Sequence, residues 1–402
     1  MTLPAERDFS ENQITASRTG VNMDWKQERE RVLNGAKRVV VKVGSAVLTT
    51  GLGVDLAVVR SLAGQLAQLH DRGTEVVLVS SGAVAAGRNV LRACCEIKGM
   101  PDKQAASAVG QSRLMHFYNE AFEEHGKLSA QILLTKDDLK SRHRFLNARN
   151  TFASLLQWRA IPIVNENDTV AVQELEFGDN DSLASLLINV VEADLYVNLT
   201  SASGVYADNP DTTENARVLD VIEDVHALNL DTMCGGKTSV GTGGMYSKLL
   251  AARRAAQLGV PTLILSGREP DAIVRAFSGE MLGTWVCAEA KAVSRRKFWM
   301  AYNTDPAGVL VVDDGAVRAL SQGHKSLLPA GVVRVDGNFQ RGALVRVTTL
   351  AGVVVGVGLC NYTAADLRRV LGMKSAELKA VLGDNQYPEA IHRDNLLMDA
   401  VV

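Results

Sequence analysis

Two lysines far apart in the chain, Lys42 and Lys248, and the short polar side chains between them are the residues whose types and spacing point to chemistry on a phosphate. Lys42 interrupts the apolar run of "VVVKVGS", with Gly44 and Ser45 at its exit. A lone lysine in a strand is ordinarily an edge residue whose stem packs while its ammonium reaches water. The segment "VGTGGMYSK" sets Gly241, Thr242, Gly243 and Gly244 ahead of Met245, Tyr246, Ser247 and Lys248. Glycines there expose backbone N–H groups that line a phosphate, and a lysine on the first helical turn adds charge. The plainer reading is a flexible connector ending in a solvated lysine. In "SSGAVAAG", Ser80, Ser81 and Gly82 precede a small-residue helix. Its free N–H groups suit an anion, although an ordinary N-cap looks the same. "VNENDTV" and "FGDNDSLAS" gather Asn165, Asn167, Asp168, Asp179, Asn180 and Asp181. Turns also favour such residues, but two clusters at neighbouring strand ends exceed what turn chemistry requires.

These segments meet only if a scaffold brings them to one edge. From Arg38 onward, short runs rich in Val, Ile and Leu alternate with amphipathic stretches, the pattern of an α/β fold with a mainly parallel sheet. Strands are expected around Val39–Val43, Val76–Ser80, Ala130–Leu134, Ile161–Asn165, Leu195–Leu199 and Thr262–Leu265. Crossover helices are expected at Asp55–Asp71, Gln104–His125 and Met245–Leu258. Ligands of open α/β sheets bind beyond the carboxyl ends of the strands, which is where these motifs fall. "NLTSASGVY" adds Thr200 and Ser201 at the fifth strand end. Near Arg295–Asp305 the pattern changes to short strands broken by glycine, at Gly308–Val312, Val332–Val335, Ala343–Val347 and Val353–Leu359. The expected division is a loosely ordered extension over 1–34, in which Asp24–Leu33 suits a short helix. A large α/β domain over 35–295, a small β-rich domain over 301–383 and a terminal tail over 384–402 follow.

A chain of 402 residues is long for one core and divides into two or three domains. With 47% hydrophobic and 22% charged residues it is neither a disordered chain nor a membrane protein, and no apolar run spans a bilayer. The net charge of −2 gives no global pull toward nucleic acid or acidic membrane, so a phosphate site has to be local. Cys94 and Cys95 are adjacent, while Cys234, Cys287 and Cys360 are far apart. Neither a CxxC pair nor a disulfide framework results, which points to a reducing, cytoplasmic setting. Glu6, Asp8, Glu11 and Asp24 and the lack of an apolar stretch argue against a secretory or transit segment. The seven histidines lack metal-ligand spacing. "GGKTS" at Gly235–Ser239 imitates the end of a Walker A loop, but Asp231 stands where its first glycine belongs. "HRDN" at His392–Asn395 imitates a protein-kinase catalytic loop without a DFG after it.

In their order and spacing, "VVVKVGS", "SSGAVAAGR", "VGQSRL", "RFLNARNT", "VNENDTV", "GDNDSLAS" and "GTGGMYSK" resemble the amino-acid kinase family from about Lys37 to Arg393. Within it they are similar to the branch that phosphorylates the side-chain carboxylate of L-glutamate. "SLLPAGVVRVDGNFQRG" resembles the PUA domain, named for pseudouridine synthases and archaeosine transglycosylases. The resemblance implies an amino-acid-kinase-like sandwich with a mainly parallel central sheet, carrying a PUA-like C-terminal domain. It implies ATP as donor, Mg²⁺ held mainly by ATP with no protein metal site, and L-glutamyl 5-phosphate as product, the first step of proline biosynthesis. Lys42 and Lys248 then lie on the phosphates with Asp181 organising them. Ser81, Asp168 and Asn180 surround glutamate, and Thr200, Ser201 and the run Thr242, Gly243, Gly244, Met245, Tyr246, Ser247, Lys248 line the nucleotide. One departure is Thr200-Ser201, where the family commonly has Thr-Asp.

The resemblance further implies a homo-oligomer, proline as feedback inhibitor, and a separate glutamyl phosphate reductase, since no dehydrogenase half is present. Acetylglutamate, carbamate, aspartate and uridylate kinases would use similar phosphate machinery on other acceptors. "VNENDTV", "GDND" and the PUA-like segment favour glutamate. An RNA-binding protein on a kinase-like scaffold is the reading from another class. Nine Lys or Arg against six Asp or Glu over 301–383, a net of +3, make a weak phosphate footprint for it.

Overall fold

Strand β1 (Arg38–Val43) shows how the scaffold is set by period-two burial. Val39, Val41 and Val43 enter one core, while Val40 enters a second core on the other face of the sheet. Lys42 shares its face with Val40. The computed structural model describes residues 24–51, 53–92, 96–170, 180–208, 213, 216–228, 230, 244–303, 305–321, 325–373, 377–378, 381 and 387–398.

Helix α1 (Trp25–Gly35) precedes β1, which leads into the single turn α2 (Ser45–Leu48) and the small hairpin of β2 (Thr49–Thr50) and β3 (Gly53–Val54). Then follow α3 (Leu56–Asp71), β4 (Glu75–Ser80), α4 (Ala83–Leu91), α5 (Met100–Glu123), β5 (Ser129–Leu134), α6 (Lys136–Lys140), α7 (Arg142–Gln157) and β6 (Ile161–Glu166). The second half runs through α8 (Asn180–Val191), β7 (Leu195–Thr200), β8 (Val221–Ile222), α9 (Met245–Gln257), β9 (Thr262–Ser266), α10 (Ala272–Phe277) and β10 (Thr284–Val286). These strands form an eight-stranded sheet in the order β5-β6-β4-β1-β7-β9-β10-β8. All its pairings are parallel except β9 with β10. Helices α3, α5 and α10 fill one face, and α7, α8 and α9 fill the other. The result is a three-layer sandwich with the exits of β1, β4, β6 and β7 along one edge.

The remaining chain forms α11 (Arg295–Asn303), β11 (Gly308–Val312), α12 (Asp314–Ser321), β12 (Val332–Gly337), β13 (Leu344–Thr349), β14 (Val354–Leu359), α13 (Ala364–Arg369) and β15 (Leu396–Met398). Its five strands pair in the order β12-β11-β13-β14-β15 around a separate core.

Three features lie at the limits of the expected division. Residues 25–35 form a docked helix capped by Asp24, where the sequence suited a short helix over Asp24–Leu33. Its buried Arg29 donates to the carbonyls of Glu280 and Leu282, which ties α1 to the loop before β10. Toward the end of the described residues, Leu396 and Leu397 are buried and β15 completes the small sheet beside β14. Helix α11, which follows 295, has Phe298 fully buried in the core of the large sheet while Ala301 packs with Leu344, Val357 and Leu397 of the small one.

Candidate active site

Asp181 is the centre of the site. It lies in the first turn of α8, fully buried, and its carboxylate meets both lysines singled out above. Lys42 Nζ lies 2.5 Å from Oδ1 and Lys248 Nζ lies 3.2 Å from Oδ2. Both lysines are buried as well. Lys42 comes from β1, on the sheet face that α8 covers, and Lys248 from the first turn of α9, which packs beside α8. The hydroxyl of Ser247 donates to Oδ2 at 2.6 Å, and the amide of Asn198 on β7 donates to Oδ1 at 3.0 Å. Burial by itself would raise the Asp181 carboxyl. The charges of Lys42 and Lys248, with hydrogen bonds from Lys42 and Ser247, outweigh it and hold the group well below the usual carboxylate range. Two cations on one anion leave a local excess of positive charge at the strand ends, a setting that attracts a phosphate.

Asn180, the neighbour of Asp181 on the same helix end, gathers a second cluster. Its Nδ2 lies 3.0 Å from the Ser80 carbonyl, 2.8 Å from Ser81 Oγ and 3.0 Å from Asn165 Oδ1. Its own Oδ1 is buried and has no partner among the described residues. Asn165, at the exit of β6, in turn donates to Gln111 Oε1 at 2.8 Å. Asp168, half-buried just past β6, accepts from Ser107 Oγ at 2.6 Å. Ser80 Oγ lies 2.9 Å from the hydroxyl of the fully buried Tyr118. Burial raises that phenol well above its usual range against the opposing Ser80 hydrogen bond, so it stays a neutral hydroxyl.

Ser107 and Tyr118 were not singled out in the sequence, and Gln111 only as part of "VGQSRL", yet all three lie on α5 and reach the ends of β6 and β4. Their spacing of four and seven residues marks one helical face, the one signal available in advance. Asn198 was also missed, although an amide inside "LYVNLT" is the same kind of interruption as the lysine inside "VVVKV".

Of the residues expected to line the nucleotide, Thr200 ends β7 with its carbonyl accepting from Gly267 N at 2.8 Å, and Ser201 is exposed just beyond it. Gly244 is the exposed N-cap of α9, followed by the half-buried Met245, Tyr246 and Ser247. Thr242 and Gly243, like Asp179 and the "GGKTS" segment, lie outside the described residues. The "HRDN" segment is a 3-10 turn whose His392 ring caps the backbone N–H of Asp394. Among the described residues, no three His, Cys, Asp or Glu side chains gather in a way that would hold a metal ion. Nor is any described helix long and apolar enough to cross a membrane.

The doubly wound sheet with this charged edge matches the amino acid kinase family over residues 37–266, and the small sheet matches the PUA domain over residues 308–382. The chain belongs to the amino acid kinase family. Within it the chain goes with the glutamate 5-kinases. It is 74% identical over 380 residues to the glutamate 5-kinase of Oleidesulfovibrio alaskensis, an alignment spanning 94% of this chain and 100% of the relative. The same spans hold at 68% identity for the glutamate 5-kinase of Nitratidesulfovibrio vulgaris. That of Geobacter sulfurreducens is 48% identical over 92% of this chain and 100% of its own length.

Proposed function

We propose that this chain transfers the γ-phosphate of ATP to the side-chain carboxylate of L-glutamate, giving L-glutamyl 5-phosphate, the first step of proline biosynthesis. The observation that carries the reading is the joining of two buried lysines on Asp181, one residue from the Asn180 cluster. One helix end thus serves two neighbouring sites.

A γ-carboxylate is ionised at neutral pH, so the reaction needs no general base. Charge is the obstacle. A carboxylate against a phosphate costs on the order of 4 kcal/mol per unit pair at about 4 Å and an effective dielectric near 20. Lys42 and Lys248 offset this, turning from Asp181 to the phosphoryl oxygens. Magnesium, when bound, supplies further neutralisation of the phosphate oxygens. Both oxygens of Asp181 already accept two donors each, so ATP itself is the main holder of the ion. Thr200, Ser201 and residues 242–248 line the nucleotide. Ser81, Asp168 and Asn180 hold glutamate, whose α-ammonium supplies the donor that Asn180 Oδ1 lacks among the described residues.

The deciding experiment is ATP consumption by the purified protein across glutamate, acetylglutamate, aspartate, carbamate and UMP, with hydroxylamine trapping the acyl phosphate. Turnover with glutamate alone is expected, and preference for another acceptor would move the chain to a different branch. Proline shares the α-carboxylate and cationic amine of glutamate but has nothing to phosphorylate. It is expected to inhibit, less so as glutamate rises, and a rate unaffected by proline at sub-saturating glutamate rejects this. A separate reductase consumes the labile product, and the enzyme works as a cytoplasmic homo-oligomer, which sedimentation of the purified protein tests.

A further inference from the structure

Asn198 is a fully buried amide in the middle of the large sheet, on a strand whose residues are all buried. An amide there is costly unless it is hydrogen-bonded. The register of β1 and β7 sets Asn198 directly beside Lys42, so both side chains project from the same face toward the first turn of α8. Its Nδ2 donates to Asp181 Oδ1 at 3.0 Å and to the Tyr196 hydroxyl at 2.9 Å. Tyr196 is itself fully buried two residues earlier on the same strand. The amide is therefore braced from within β7 and aimed at the carboxylate.

A carboxylate offers about four acceptor directions. Among the described residues, Asp181 Oδ1 accepts from Lys42 and the neutral Asn198, and Oδ2 accepts from Lys248 and the neutral Ser247. That division gives the two neutral donors a separate task. A carboxylate held only by lysines would be drawn along, or left unpaired in a buried place, whenever the lysines turned to a phosphate. Ser247 sits in the half-exposed first turn of α9, next to the glycines of the nucleotide segment. Asn198 comes from the centre of the sheet.

We infer that Asn198 is a positioning residue, which fixes the Asp181 carboxylate while Lys42 and Lys248 exchange it for the phosphoryl group. The inference rests on the phosphoryl-transfer reading above. It makes the reset of the lysines after each turnover depend on an uncharged group that never leaves its place.

The test is Asn198→Leu, which keeps the size and removes the donor, with Asn198→Ala as a second variant lacking the donor without added apolar bulk. Steady-state kinetics with ATP and glutamate are measured on the full chain beside thermal unfolding. A hydrogen bond to a charged group is worth enough to lower kcat by roughly 10- to 100-fold. The fall is expected in kcat, with KM for glutamate unchanged. Wild-type kcat in either folded variant overturns the inference, as does a loss expressed wholly as a raised KM for glutamate. Should the leucine variant fail to fold, the alanine variant decides by the same split. A wild-type protein that does not turn over ATP with glutamate would instead defeat the functional reading itself.

Discussion

Lys248 and Asn180 separate the two halves of the site most cleanly. Lys248→Ala removes one of the two cations proposed to face the transferred phosphoryl group, and kcat is expected to fall by roughly 10³-fold or more. The fold survives, because Asp181 keeps Lys42 at 2.5 Å. Undiminished kcat in the folded variant would take Lys248 out of the mechanism. Asp168→Ala and Asn180→Ala act on the other half and are expected to raise KM for glutamate more than KM for ATP. For Asn180 the change also costs stability, since its amide ties together Ser80, Ser81 and Asn165. If only the ATP dependence moved, the assignment of this cluster to the amino acid would be wrong. The residue types at these positions were legible from strand-end motifs. The family resemblance named Asp181 as the group organising both lysines, but the contacts at each oxygen were not legible, because Lys42, Asp181 and Lys248 are joined by the crossing of three separate elements.

At the scale of elements, the crossing of α4 on α5 places the serine cluster. A methyl group on Gly110 would lie 1.8 Å from the Ala83 carbonyl oxygen, and one on Gly87 would lie 1.7 Å from that of Ala106. Both obstacles are backbone, so no side-chain rotation relieves them. The two glycines let the helices touch, and this holds the turn at Gly82, whose φ of +108° disfavours any side chain. Gly110→Ala is expected to destabilise the protein by about 3 kcal/mol, at the upper end for overpacking, and to raise KM for glutamate as Ser80 and Ser81 shift. Chemical denaturation beside glutamate titration checks both, and a variant of unchanged stability would show that the helices separate freely. "SSGAVAAG" and "VGQSRL" gave the glycines as motif residues. Their reason for being glycine lies in a contact between helices, which no local pattern records.

For the whole molecule, α11 joins the two sheets. Phe298 enters the core of the large sheet with α7, α8 and α9, while Ala301 meets β13, β14 and β15 of the small one. The same helix is tied to α8 by Asn189 Nδ2 donating to the Arg295 carbonyl at 3.2 Å, and α8 carries Asp181 at its other end. Phe298→Ala is expected to cost about 3–5 kcal/mol and to lower the unfolding temperature of the full chain. An unfolding temperature equal to wild type would mean that α11 is not part of the large core. The sequence by itself determined the alternation of strands and helices, the change to a small β-rich unit and the strand-end motifs, because periodicity and turn residues are local properties. It left the docking of α1, the antiparallel β10 and the pairing of β15 unread, since short segments such as "TWV" and "LLM" carry too few residues for a period to register. Only the tertiary structure decided that Asn198 faces Lys42, which oxygen of Asp181 meets which lysine and that α5 braces the ends of β4 and β6, because each depends on register and crossing between segments distant in the chain.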